Sequence, residues 1–231
     1  MTKESLTQQG GYALASKGGQ HDEAWLIFME LVHKQLPTFE AKAEALHYFP
    51  VWRTWFSLHG LCKLPWNDII PESNKTAKEP AKVPEHVENY TWLYEGVTGV
   101  KVGIEDLMLQ SERVYTFQRI FNARCGYGTR AYDYPPYRAM GPVTVLEYES
   151  RLERYDQSLI NDAGINIEGM STAEKVAALR KYREDRYEML VDAVYKRRGW
   201  DADGVPTVET VKRLEIDFPE VLEVIQRYQQ N

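Results

Sequence analysis

Cysteine is nearly absent from this chain. Cys62 and Cys125 are its only two, far apart in sequence, so it holds neither a zinc-type Cys pair nor a disulfide framework. Long apolar runs are missing too: nothing approaches the roughly 20 residues needed to span a bilayer, and residues 1–11 lack the apolar stretch of a secretory signal. The expectation is a cytoplasmic protein with no membrane span. Positive charge is not in excess either, with 28 basic against 34 acidic residues and a net charge of -6. That balance argues against a nucleic-acid partner, because phosphate binding needs clustered cations. The single basic cluster, Lys196-Arg197-Arg198, falls at the end of an expected helix, where it complements the exposed carbonyls.

Enough apolar material is present, 43% hydrophobic with 12% aromatic in 231 residues, to bury one large core or two small ones. The periodicity is helical. Thr38 can cap a helix over 39–59, in which Ala43, Leu46, Phe49, Trp52, Trp55 and Phe56 recur at steps of three and four. Pro50 should kink it and Gly60 end it. A polar, lysine-rich loop over 72–84 precedes helices over 85–97 and 104–124. The second of these is expected to bury Ile104, Leu107, Met108, Val114, Phe117, Ile120 and Phe121 on one face, with Glu105, Glu112 and Arg119 elsewhere.

Residues 126–142 read as a long ordered loop, of the kind that carries a site or an interface. The helical signal weakens over 151–170. Ser171 and Glu174 then form a capping pair opening a helix to Arg198, ended by Gly199; Asp203-Gly204 makes a turn and Pro206-Thr207 starts a last short helix. Residues 1–19, rich in Gly, Ser, Gln and Lys, read as a strand or loop, followed by a short helix. With no internal repeat and no multi-strand pattern, the fold class is mainly α.

Few residues carry chemistry on their own. Gly126-Tyr-Gly-Thr-Arg-Ala131 spells a dinucleotide-binding motif, but a helix precedes it and a Pro-Pro pair follows, where the motif requires a strand and then a helix. His33 and His47 fall among apolar residues in helical patterns, and His86 opens a helix. His21 follows the Gly18-Gly19 pair beside Asp22 and Glu23, so it offers a group titrating near neutrality where a backbone can approach closely. A lone cysteine such as Cys62 is most often a small hydrophobe. Placed just past a helix-ending glycine, it also suits a thiolate held at a fixed point.

Four ordered segments add what spacing cannot. Ser57 with Gly60-Leu61-Cys62-Lys63 resembles the Asp-x-x-Gly-Leu-Cys motif of the tungsten-pterin aldehyde:ferredoxin oxidoreductase family. Gly11-Tyr-Ala-Leu-Ala-Ser-Lys-Gly-Gly-Gln-His21 resembles that family's Tyr-Ala, Gly-Gly, His segment. Arg113-Val-Tyr-Thr-Phe-Gln-Arg-Ile-Phe-Asn122 and Arg197-Arg-Gly-Trp-Asp-Ala-Asp-Gly-Val-Pro-Thr207 resemble two further motifs of its last third. Gly18-Gly-Gln-His-Asp-Glu-Ala-Trp25 and Tyr137-Arg-Ala-Met-Gly-Pro-Val143 lie closer to the catalytic subunit of the class II benzoyl-CoA reductases.

The resemblance implies a helical carboxy-terminal domain over 37–231, with 1–36 closing the preceding domain. It makes Cys62 the fourth ligand of a [4Fe-4S] cluster, His21 the proton-transferring residue near tungsten, and Ser57 and Leu61 contacts of a tungsten bis-pterin. Ser57 stands where the family has Asp, so a shorter hydroxyl replaces a carboxylate. Cys125 is expected to be structural. The other three cluster thiolates, and the pterin-holding amino-terminal portion, are expected from polypeptide outside this chain, and electrons from a ferredoxin or an electron-transfer subunit. For the small-molecule substrate the resemblance favours ring reduction of benzoyl-CoA or a similar aromatic acyl-CoA, with oxidation of aldehydes to carboxylic acids next. A helical interaction module without cofactors, binding through the tyrosines and arginines of 126–142, is the rival from another class.

Overall fold

The structure, a computed structural model, describes residues 3–17, 26–61 and 85–229. Among them there is no strand, only an isolated bridge between Trp200 and Pro206, and the expected mainly α class holds. No helix among these residues is long and apolar enough to cross a membrane.

The first departure comes at once. Residues expected as strand or loop form helix α1, Leu6–Ala13, capped by the Ser5 side chain, which accepts from the Gln8 N–H at 3.1 Å. A short π-helix, Phe28–Val32, follows and supplies Glu30. Its Oε2 accepts from Ser5 Oγ at 2.7 Å, Thr7 N–H at 2.9 Å and Thr7 Oγ1 at 2.6 Å, placing an anion on the amino-terminal end of α1. Glycine suits this helix for a packing reason: a Cβ on Gly10 would stand 2.7 Å from Leu46 Cδ1 and 3.3 Å from Leu190 Cδ2. Poor propensity is outweighed by closeness to two neighbours.

Those neighbours lie on α2, Phe39–Leu58, and α7, Thr172–Arg198. As expected, Thr38 caps α2, accepting from Ala41 N–H at 3.1 Å, and Ser171 and Glu174 form a capping box on α7. Pro50 sits inside α2 and cannot donate to the Leu46 carbonyl. Arg198, at the last turn of α7, takes over: its Nη2 donates to Leu46 O at 3.0 Å while Nη1 donates to Leu14 O, at the carboxy end of α1, at 3.1 Å. Arg198 is only 3% exposed, so the basic cluster does more than answer its own helix's carbonyls; it ties three helices together. Arg197 reaches across to Glu40 and Glu44 of α2.

Between α2 and α7 comes α3, Glu85–Thr98, then α4, Ile104–Arg124. The buried face of α4 is Leu107, Ser111, Tyr115, Thr116, Arg119, Ile120 and Ala123. Phe117 and Phe121, expected inside, are 44% and 58% exposed, and Arg119, expected outside, is 1% exposed. A period-3.6 count ranks faces by hydrophobicity, and this helix turns its most polar cation inward because a carboxylate waits there.

A short helix α5, Val145–Glu149, precedes the span of weak helical signal, which itself holds α6, Leu152–Gln157, and a second π-helix, Ser158–Asp162. Beyond α7, Thr207 caps α8, Val208–Arg213, and a helix not anticipated, α9, Pro219–Gln229, closes the chain. Val211, Leu214, Val221, Val224 and Ile225 pack on Ile120 and Ala123 of α4, making a second core beside the main one of α1, α2, α4 and α7.

Candidate cofactor-facing site at the end of α2

Helix α2 ends in a Schellman motif. Gly60 adopts φ 68°, Leu61 N–H donates to Phe56 O at 2.9 Å and Gly60 N–H to Ser57 O at 3.4 Å. The last carbonyls are thereby satisfied, and the chain turns outward. Ser57 and Leu61 both lie on the surface, Leu61 at 40% exposure, and the Ser57 hydroxyl makes no hydrogen bond among the described residues. Cys62, the expected cluster ligand, is the next residue and lies outside the described residues, as does His21. The structure therefore brings Ser57 and Leu61 together on one capped helix end.

Aromatic packing holds that end still. Trp52 and Trp55 stack at 5.7 Å between centroids, and Tyr90 of α3 packs edge-on against Trp52, Trp55 and Phe56. Burial there pushes the Tyr90 phenol up to about 12. His59 stacks on Trp55 at 4.3 Å, its Nδ1 2.9 Å from the Trp55 carbonyl.

The stretch after α1 is anchored as well. Leu14 O accepts from Tyr115 Oη at 2.6 Å and from Arg198, and Ser16 O accepts from Asn122 Nδ2 at 2.6 Å. Ser16 itself has φ 55°, an uncommon conformation for a side chain with a Cβ. The stretch 14–17 is thus pinned by α4 and α7 immediately before Gly18.

Two of the resembling segments, 113–122 and 197–207, meet each other instead of a surface. Arg119 forks onto Asp133, Nη1 to Oδ1 at 2.8 Å and Nη2 to Oδ2 at 2.6 Å, and its Nε donates to Gly204 O at 2.8 Å. Tyr195 Oη also donates to Asp133 Oδ2, and Tyr187 Oη donates to Asp133 O at 2.6 Å. The Arg119 guanidinium lies 4.8 Å from the Trp200 ring centroid. Burial disfavours the Arg119 cation, but Asp133 outweighs burial and holds its pKa above the ordinary value. Burial first, and Asp133 second, push the Tyr195 phenol far above its usual range. Arg113 Nε donates to Leu214 O at 2.7 Å. The sequence showed these arginines only as parts of a motif, and Asp133 carried no signal.

The loop 126–142 is ordered by the same contacts and by Arg130, whose N–H donates to Asp203 O at 2.7 Å and whose guanidinium pairs with Glu188 and Asp192. Its glycine spelling has a packing explanation: a Cβ on Gly128 would stand 2.4 Å from Ala123 N, against the backbone of α4. Tyr137 to Pro142 is held by Arg180, which donates to Tyr137 O at 3.0 Å and Pro142 O at 3.4 Å, and Met140 is fully buried. Cys125, expected to be structural, is exposed at the carboxy cap of α4 and is no part of the core. Among the described residues no three His, Cys, Asp or Glu side chains gather as a metal site.

Residues 2–216 match a family model described as aldehyde ferredoxin oxidoreductase, domains 2 and 3. The chain belongs to that family. No curated protein is detectably similar to the chain. The family generally binds a tungsten-pterin and a [4Fe-4S] cluster, and α9 lies beyond the matched residues.

Proposed function

We propose that this chain contributes the Cys62 thiolate, the Ser57 hydroxyl and the Leu61 backbone to a tungsten-pterin, [4Fe-4S] oxidoreductase. Supporting this is the geometry at the end of α2: a satisfied helix terminus, braced by stacked indoles, leads outward at Leu61 with the Ser57 hydroxyl free of other described residues. These residues fit one corner of a cluster site and no more, since four thiolates hold a [4Fe-4S] cluster. The other three come, on this reading, from a separate polypeptide segment. Bound there, the cluster would relay single electrons between a ferredoxin-like partner and the tungsten bis-pterin.

The chain's own residues position and protonate. His21 gives or takes the proton at the substrate, a role suited to imidazole chemistry near neutral pH. Ser57 reaches the pterin with a hydroxyl that can donate as well as accept. Aldehyde oxidation and benzoyl-CoA ring reduction differ in the direction of electron flow. The second rests only on the resemblance of 18–25 and 137–143; of these, Tyr137 and Pro142 are held by Arg180 through their backbone carbonyls.

The decisive measurement is metal content of the chain produced together with the polypeptide encoded beside it. Iron and tungsten should copurify, and Cys62→Ser should lose iron while the complex stays assembled. A stable complex free of metal would instead establish the interaction module, for which exposed Tyr127, Tyr132 and Tyr137 supply the surface. Oxidation of aldehydes coupled to a viologen dye, without acyl-CoA activity, would decide against ring reduction.

A further inference from the structure

A cleft of about 400 Å³ opens between the start of α1, α6 with the second π-helix, and the middle of α7. Four cationic side chains line it, Lys3, Arg154, Arg183 and Arg186, against two carboxylates, Glu4 and Asp162. Most positive charge elsewhere on α7 is neutralised locally: Lys181 pairs with Asp185, Arg180 with Glu184, Lys175 with Asp156, and Arg197 with Glu40 and Glu44. The two arginines facing the cleft from α7 differ. Among the described residues neither Arg183 nor Arg186 has a carboxylate within ion-pair distance. Arg186 Nη1 donates to Tyr182 Oη at 2.9 Å, whereas Arg183 Nη1 is enclosed with no hydrogen-bond partner and its guanidinium lies 5.6 Å from the Tyr155 ring.

Leaving the enclosed Nη1 without an acceptor is costly, and burial lowers the Arg183 pKa from its ordinary value although the charges of Glu4 and Asp162 oppose it. Among the described residues Arg183 Nε and Nη2 and Arg186 Nη2 donate to no acceptor and are not enclosed, so these are the donors a ligand in the cleft would meet. The backbone around the cleft points the same way. Both π-helices border it, one through Leu31 and the other through Ser158, Asn161 and Asp162, and π-helical turns concentrate at functional sites. Ser158 and Asn161 add neutral donors, and the volume suits a small molecule, not a polymer.

We propose that this cleft is a binding site for a small molecule bearing an oxyanion group, phosphate or carboxylate, gripped by the Arg183 and Arg186 guanidinium groups. Arg154, anchored loosely at 3.8 Å from Glu4, closes over the ligand from the opposite wall. Planar guanidinium forks match either oxyanion with paired hydrogen bonds, which is why the class is set by the charge and its geometry. None of the lining residues belongs to the set His21, Ser57, Leu61 and Cys62, so the site stands whether or not the redox reading does.

Calorimetric titration of the full chain with inorganic phosphate, and separately with succinate, tests it. At least one anion should bind saturably at one site, and Arg186→Gln and Arg183→Gln should each weaken that binding by about tenfold, the loss of a charge-assisted bond. Arg213→Gln, which breaks a surface pair with Glu112, should leave it unchanged. Circular dichroism checks that each variant is folded; if Arg183→Gln is not, Arg186→Gln decides. Preference for one anion identifies which oxyanion the ligand carries. No saturable binding of either anion at millimolar concentration, or equal affinity in the wild type and Arg186→Gln, would overturn the proposal.

Discussion

Helices α2 and α7 end with the same backbone device and put it to opposite uses. Each closes on a left-handed glycine, Gly60 at φ 68° and Gly199 at φ 67°, and in each the following N–H reaches back five residues, Leu61 to Phe56 O and Trp200 to Tyr195 O, both at 2.9 Å. At Gly199 the chain turns into the protein. Trp200 is 5% exposed, sits under the Arg119 guanidinium, and a Cβ on Gly199 would stand 2.1 Å from Thr210 Oγ1. At Gly60 a Cβ would meet nothing within 4 Å, and the next side chain faces outward. Local sequence specifies how a helix stops; the residues brought from elsewhere specify whether the stop is a joint or a platform.

The sharpest way to break the joint is Asp133→Asn. Arg119 would keep its buried charge without a carboxylate, and Tyr195 would lose the anion it donates to, while Tyr187 keeps the backbone carbonyl of residue 133. Leaving such a cation uncompensated costs about 3–5 kcal/mol, read as a lower midpoint in urea unfolding. A change under about 1 kcal/mol would mean the network is solvated and the joint is made by packing alone.

Asp133 also shows where sequence reading stops. Helices α2, α4 and α7, and the caps of α2 and α7, could be read because each signal is local: Thr38, Ser171 with Glu174, Gly60, Gly199. The face of α4 could not. Arg119 looks like a surface residue until Asp133 from one segment and Trp200 and Gly204 from another converge on it, and nothing in the spacing announces that meeting. Helix α1 was missed for a related reason, since Gly10 weakens a helix in isolation and is favourable only against Leu46 and Leu190. At the candidate site, the resemblance supplied Ser57, Leu61, Cys62 and His21, and periodicity supplied the helix end that carries the first two. The cleft of Arg183 and Arg186 was invisible, although arginines three apart on a long helix are a pattern to look for when acidic partners at the next turn are lacking.

Arg198 links the two regions, and its removal should come next in magnitude. Arg198→Met would leave the Leu46 carbonyl without a donor and take one of two from Leu14 O, which keeps Tyr115 Oη, for about 2–4 kcal/mol. Leu46 lacks a helical donor only because residue 50 is proline. Pro50→Ala restores an N–H there, so in that background Arg198→Met should cost less by about 0.5–1.5 kcal/mol, a coupling that a double-mutant cycle in urea would measure. Strict additivity would show that the arginine does not serve the proline kink.

The glycines themselves give a paired test. Gly199→Ala forces both a left-handed alanine and a clash with Thr210, for about 2–4 kcal/mol, while Gly60→Ala adds only the backbone cost of about 1 kcal/mol. Equal shifts in melting temperature would erase the distinction between joint and platform.

Smallest of all should be Ser57→Ala. Its hydroxyl is on the surface with no described partner, so the effect on stability should stay within about 0.5 kcal/mol. A platform residue is recognised by a mismatch between what its loss does to the fold and what it does to the ligand. If Ser57 contacts the pterin, the alanine variant of the assembled protein should retain less tungsten per chain while iron content and melting temperature hold, and Ser57→Asp, which restores the family's usual carboxylate, should retain at least as much as the wild type. Unchanged tungsten in both variants would leave the end of α2 as an ordinary capped terminus, and Cys62 would then have to carry the redox reading alone.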